Sequence, residues 1–458
     1  MDKVRRDSNT AAIAAVLLIV ASAALTALLH WPGHMSVDTL LQLRDGLSRD
    51  YQSNQPPAMS WLVASMQRSP LGLGGLLLLN VGLWSACAWR LFRLLAGRGS
   101  WRRWAALLVW LLFPVTLLYN GVLWKDVLAA HLAALGFLLA VPARTARTSA
   151  WALAGSALLI AAATLVRQQM ALVIPILGAA IWMASRARGP HRALGLTGLW
   201  LVGVLAATQL AGNALERSAI HVSELSTQGA IYQLTTFDLA GIQHQGGQVR
   251  TPSRAAAGMK NPERLTAMLA LYGPDRVDHL GAYPDNPIIG VMNQPDWTMF
   301  LAADWWTSIR ANPGAYAVHR WEHFLWQAGF RDTTACLPFY FGISPPSTIP
   351  PLPLPAGNPA RDAHLTAWGH HLAPMFRPVI YATAALLALI GLCCRRPRGW
   401  EVLAALQVAG LAYLGSYLLI GIACDFRYAY FLVPVALIGI LSLWLPRRAR
   451  TSPGGVPP

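Results

Sequence analysis

The sequence predicts an all-α polytopic membrane protein. About ten membrane-spanning helices are expected, with one outer-face soluble domain inserted between the seventh and eighth. Three observations predict it. Of 458 residues, 55% are hydrophobic and only 12% charged, against roughly 25% charged in a soluble domain. Ten apolar runs approach the roughly 20 residues that a spanning helix needs. Every second linker between those runs is rich in arginine.

The composition decides against a soluble chain. With a mean hydropathy of +0.41, a soluble protein would carry more apolar surface than it could bury. Lipid accepts apolar side chains that face outward. A net charge of +16 is one mark of a nucleic-acid partner. Here the arginines sit between apolar runs, where topology determinants belong, so no nucleic acid is expected. The cysteines are Cys87, Cys336, Cys393, Cys394 and Cys424; their spacing matches no zinc motif.

The runs are 11–30, 70–95, 104–120, 127–142, 150–166, 170–185, 194–212, 377–394, 401–422 and 429–445. The first follows a basic start like that of a signal peptide. It is long enough to span, and no small-residue cleavage site follows it, so it reads as a retained helix. The fourth and fifth are short, which a spanning helix tolerates beside a water-filled site or a locally thin bilayer.

Arginines mark one side. Lys3, Arg5 and Arg6 precede the first run, and Arg98, Arg102 and Arg103 follow the second. Arg144 and Arg147, then Arg186, Arg188 and Arg192, follow the fourth and sixth. Arg395, Arg396 and Arg398 follow the eighth, and Arg447, Arg448 and Arg450 the tenth. The positive-inside rule then puts both termini in the cytoplasm. The expected division is an N-terminal membrane domain 1–212 with a first outer loop 31–69, an extracytoplasmic domain 213–376, and a C-terminal membrane domain 377–458. Cys336 and Cys424 fall on the same side, which leaves a disulfide between them open.

The domain 213–376 carries turn signals at Tyr283-Pro284-Asp285-Asn286-Pro287. Trp305, Trp306, Trp321 and Trp326 suit either the headgroup level or a soluble core. Residues 343–355 are proline-rich and read as an extended excursion.

The outward linkers hold the chemistry. Three are very short, yet contain Lys125-Asp126, Arg167-Gln168-Gln169 and Asp425-Phe426-Arg427-Tyr428. Ionisable groups there are costly unless they line an aqueous cavity or pair with one another, so they suggest one polar site. In the first outer loop, Ser36 is positioned to cap a short helix. Asp38 and Gln42 would then share a face. Asp38 reads either as a general base towards an acceptor hydroxyl or amine, or as a cap or solvated charge. Arg167 and Arg427 read as phosphate forks, or as helix-end charges paired with Asp126 or Asp425. Lys125 adds a third cation. No Walker motif is present, and an outer site has no access to cytoplasmic nucleotides, so the phosphate would belong to a lipid carrier.

In order and sidedness these motifs resemble the GT-C superfamily of membrane glycosyltransferases. It includes protein O-mannosyltransferases and lipid A aminoarabinose transferases. Members carry an acid soon after the first spanning helix, the position of Asp38. Gln55-Pro56-Pro57, Trp124-Lys125-Asp126, Arg167-Gln168-Gln169 and Arg427-Tyr428 with Pro434 look like the family's later elements. The resemblance covers roughly 1–212 and 377–445. Two positions depart from it: Val37 stands where many members have a second acid, and Gln55 replaces a basic residue. The acceptor and any metal dependence are thereby left open.

The resemblance implies transfer of a sugar from a polyprenyl-phosphate donor to a lipid, glycan or protein at the outer face of a bacterial inner membrane. Asp38 would be the base. Lys125, Arg167 and Arg427 would hold the phosphate, and Asp126 would orient Lys125 or the acceptor. Gln42, Gln55, Gln168 and Tyr428 would complete the substrate pocket. No cofactor or metal is expected; the partners are the lipid-linked donor, membrane lipids and the acceptor. An O-antigen ligase-like or polymerase-like enzyme is the nearest alternative. A transporter or flippase is the non-enzymatic one, but it should hold its polar residues at mid-membrane, and here they gather at outer helix ends.

The alternation generates a direct test. Cysteine labelling in intact cells at Asn261 and at Arg398 should report opposite sides of the membrane. Labelling from the same side would break the common sidedness of the motif linkers.

Overall fold

The computed structural model describes residues 2–51, 56–95, 100–142, 150–186, 189–219, 221–222, 224–249, 267–281, 297–343 and 352–446. Gln55, the turn at Tyr283–Pro287 and residues 344–351 of the proline-rich excursion lie outside them.

Helices dominate, as the apolar runs predict. The chain begins with α1 (Asp2–His30), α2 (Val37–Ser48), α3 (Pro57–Gln67) and α4 (Gly74–Leu94). Next come α5 (Ser100–Leu112), α6 (Pro114–Asn120), α7 (Lys125–Ala140), α8 (Ala150–Val166), α9 (Val173–Ser185) and α10 (Pro190–Ser218). The segment after α10 adds α11 (Glu224–His244), α12 (Asp278–Gly281), α13 (Trp297–Ala311), α14 (Pro313–Gln327) and α15 (Pro359–His371). The chain closes with α16 (Pro378–Arg395), α17 (Trp400–Ile420) and α18 (Leu432–Ser442). Among the described residues, strand is confined to a two-residue parallel pair, β1 (Asp50–Tyr51) with β2 (His221–Val222).

Each of the ten apolar runs falls on helix. Among the described residues six are long and apolar enough to cross a membrane: Asn9–His30, Gly74–Leu94, Gln168–Ser185, Pro190–Ser218, Pro378–Arg395 and Trp400–Ile420. A seventh forms if α5 and α6 are one span, bent by 49°. Pro114 causes that break, since it has no N–H to donate to the turn before it. The outer helices turn apolar side chains outward, as lipid allows: Leu17, Leu28, Leu199 and Leu387 are all exposed.

The helix that positions the site is α7. Nearly all its side chains from Asp126 to Ala140 are buried, as expected of a helix that is apolar on every face. It packs against α4, α8, α17 and α18. At its C-terminal end Arg90 of α4 donates to the carbonyls of Leu138 (3.0 Å) and Val141 (2.6 Å), satisfying orphan acceptors there. The other end begins with Lys125 and Asp126, at the centre of the bundle's opposite face.

Two features add to the sequence expectation. The connection 31–69 holds the short helix expected after Ser36, α2, and a second one, α3, packed against it so closely that a Cβ on Gly46 would meet the Ser60 carbonyl oxygen at 2.0 Å. α3 is short and escapes a search for 20-residue runs. The boundary expected at 212 falls inside α10, whose 29 residues extend about 44 Å at 1.5 Å per residue. That exceeds the roughly 30 Å of hydrocarbon.

The segment after α10 has its own small core of Phe237, Ala240, Met268, Leu269, Tyr272 and Leu280. Beside it lies a buried polar network. Asp238 pairs with His319 (2.9 Å) and Arg320 (2.6 Å) and accepts from the Trp305 indole (2.6 Å). A carboxylate only accepts, so His319 Nε2 carries the proton and Nδ1 takes the Tyr272 hydroxyl at 2.8 Å. Arg320 then reaches the Gly421 carbonyl at the end of α17 (2.6 Å). Trp305 is thus half-buried against this network, whereas Trp306 and Trp321 are exposed.

Candidate functional site

The site forms where α2, α7, the turn 167–169 and the turn 423–428 meet. Ser36 occupies the N-cap position of α2 in extended conformation, but its side chain does not cap the helix. Its hydroxyl accepts from the Trp124 indole at 2.8 Å. Thr39 donates to the Leu123 carbonyl at 3.0 Å. These bonds pin the first turn of α2 to the start of α7.

A histidine pair fixes the approach to α2. The Gly342 N–H donates to His34 Nδ1 at 2.9 Å. His34 therefore carries its proton on Nε2, 2.9 Å from His30 Nδ1. Burial, followed by His30 and Arg361, pushes the His34 imidazole down to about 2. This pair is a neutral clamp between α1 and the segment at 342.

Two arginines carry the site. Arg167 is ion-paired with Asp126. It donates to the hydroxyls of Tyr413 and Tyr417, the latter at 2.6 Å, and to Gln169 Oε1 at 3.3 Å. Arg427 is ion-paired with Asp38 through Nη1. Its Nε and Nη2 both lie 3.1 Å from Asp425 Oδ2, and Nη2 is 3.2 Å from the Tyr428 hydroxyl. Both guanidiniums stand over the Tyr428 ring, at 5.2 and 4.9 Å, and Arg427 also lies over Trp124 at 5.1 Å. Such cation–π contacts strengthen away from water. Lys125 feels the charges of Asp38, Asp126, Arg167 and Arg427, which sets it in the same cluster.

The three acids differ in access. The side chains of Asp126 and Asp425 are 2% and 6% exposed, while that of Asp38 is 30% exposed. Burial pushes the Asp425 carboxyl up, and Arg427 and Arg276 pull it back. Arg276 comes from the segment between α10 and α16 and lies 3.2 Å from Asp425. The backbones of Cys424 and Asp275 are joined by a 2.9 Å bond, and Cys424 forms a disulfide with Cys336.

Asp38, Lys125, Asp126, Arg167, Arg427 and Tyr428 thus come together as the sequence suggested. Gln42 is one turn along α2 and buried. Gln168 is exposed, and it is Gln169 that joins the cluster, donating to Ser416 and accepting from Tyr417 at 2.8 Å. Sequence reasoning missed Arg276, Tyr413 and Tyr417. The last two had a signal: tyrosines at i and i+4 put two hydroxyls on one face of an apolar helix. Among the described residues no three His, Cys, Asp or Glu side chains form a group that could hold a metal ion.

A scan against protein-family models finds no match, and searches of curated proteins and of solved structures find none. The site's chemistry is therefore argued from its geometry.

That geometry separates two kinds of acid. Asp126 neutralises a guanidinium that is 11% exposed, and removing one partner of a buried pair leaves the other uncompensated. Asp38 is better solvated, and Arg427 keeps Asp425 without it. Asp126→Asn should cost about 3–5 kcal/mol, and Asp38→Asn about 1 kcal/mol or less. Thermal unfolding of the detergent-solubilised chain measures both. Equal losses would make Asp38 a structural anchor like Asp126.

Proposed function

We propose that the chain is a GT-C-type glycosyltransferase. It moves a sugar from a polyprenyl-phosphate donor to a lipid, glycan or protein acceptor at the outer face of a bacterial inner membrane. The observation that carries this reading is the convergence of Asp38, Lys125, Arg167 and Arg427 from four separate connections. A partly exposed carboxylate beside a cluster of cations is what a base and a phosphate site require.

In this reading ten helices span the membrane. They are the six long ones, the bent α5–α6 pair, α7, α8 and the segment Phe426–Ser442. The short α7 is tolerated because protein, not lipid, surrounds it. The arginine alternation puts both termini in the cytoplasm and 213–376 outside. The Cys336–Cys424 disulfide suits an oxidising compartment.

The transfer is a direct displacement. Asp38 accepts the proton of the acceptor hydroxyl or amine, and the acceptor atom bonds to the anomeric carbon. The anomeric C–O bond to phosphate breaks, and its electron pair leaves on the polyprenyl phosphate. Arg427, Arg167 and Lys125 neutralise the charge that collects there. Configuration at the anomeric carbon is inverted, with no covalent enzyme intermediate.

Asp38→Asn preserves size and removes the negative charge. It should slow sugar transfer in membranes by about 10²–10⁴-fold, as loss of a general base does. Arg427→Ala should chiefly weaken donor binding. Transfer by Asp38→Asn at the wild-type rate would exclude Asp38 as the base. A wild-type chain that uses no lipid-linked donor would overturn the proposal.

A further inference from the structure

We infer that Asp38 and a ligand phosphate compete for Arg427, so that the resting site is closed on itself and phosphate binding releases the carboxylate. The inference rests on the proposed function, because it takes the ligand to be a phosphate ester.

Arg427 has no idle nitrogen. Nη1 holds Asp38, Nε holds Asp425, and Nη2 lies against Asp425 and the Tyr428 hydroxyl. A guanidinium offers five N–H donors in a fixed fork. A phosphate that takes two of them must displace a partner already there.

The surroundings decide which partner yields. Asp425 is 6% exposed, is also held by Arg276, and follows a disulfide-bonded cysteine. Moving it would strand a carboxylate away from water, a large penalty. Asp38 lies at the start of α2 and is 30% exposed. Water can solvate it once it leaves Arg427, and the Lys125 ammonium is among the charges beside it. Asp38 is therefore the group exchanged.

Arg167 behaves differently. Asp126, Tyr413, Tyr417 and Gln169 all bind it, and its carboxylate partner is 2% exposed. It is a fixed positive neighbour, while Arg427 is the arginine that changes partner. The donor must then bind first, and the base is freed only in a site that already holds a phosphate.

The test uses the detergent-solubilised full chain, with a polyprenyl phosphate and inorganic phosphate as probes. Asp38→Asn removes the competitor and should bind polyprenyl phosphate at least about fivefold more tightly than wild type. Asp38→Glu keeps the charge and should bind like wild type. Equal tightening for inorganic phosphate assigns the exchange to the phosphate group itself. Tightening for the lipid alone assigns it to a lipid-anchored headgroup. Binding by Asp38→Asn that is unchanged or weaker, with wild type binding normally, overturns the competition and leaves the proposed function standing. Tightening by Asp38→Asn, with no sugar transfer by the wild-type chain from any lipid-linked donor, overturns the proposed function and leaves the competition standing. A wild-type chain that binds neither probe overturns both.

Discussion

The structure turns on the neutralisation of two guanidiniums at one end of an apolar helical bundle. An arginine there is tolerated only with a close counter-charge and satisfied N–H groups. Arg167 obtains these from Asp126 and two tyrosines; Arg427 obtains them from Asp38, Asp425 and Tyr428. The partners lie on helices far apart in sequence. Satisfying the two charges therefore fixes how α2, α7, α17 and the turn at 425 meet.

The same requirement explains the links between the segment that follows α10 and the bundle. Arg276 completes the environment of Asp425, and the Cys336–Cys424 disulfide holds the neighbouring backbone. Arg320 ties the end of α17 to the Asp238 network. The turn that bears Arg427 is thus braced by Arg276 and the disulfide, while Asp38 approaches from the more exposed side of the charge balance. One acid is built in and the other can exchange, an asymmetry suited to a site that must accept and release an anion.

Much of this was legible in the sequence. Apolar runs of spanning length declare themselves by composition, and all ten fall on helix. Charged residues at the ends of such runs are expensive, which is why Lys125, Asp126, Arg167 and Arg427 drew attention, while Asp38 came from the short helix expected in the first outer loop. The rest was hidden for physical reasons. α3 is too short to register as a span, and its tight contact with α2 at Gly46 is a tertiary fact. Gln168 and Gln169 sit in a 3-10 turn, where one residue is a third of a rotation, so adjacency could not choose between them. Tyr413 and Tyr417 were absorbed into an apolar run. Arg276 reaches Asp425 across 149 positions, with no local pattern to announce it.

The most direct measurement is a cryo-electron microscopy structure of the chain with a polyprenyl phosphate bound. The account predicts phosphate density against Arg427, beside Arg167 and Lys125, with Asp425 still in place and the Asp38 carboxylate withdrawn from Arg427. Lipid phosphate bound elsewhere, with the Asp38–Arg427 pair intact, would contradict it.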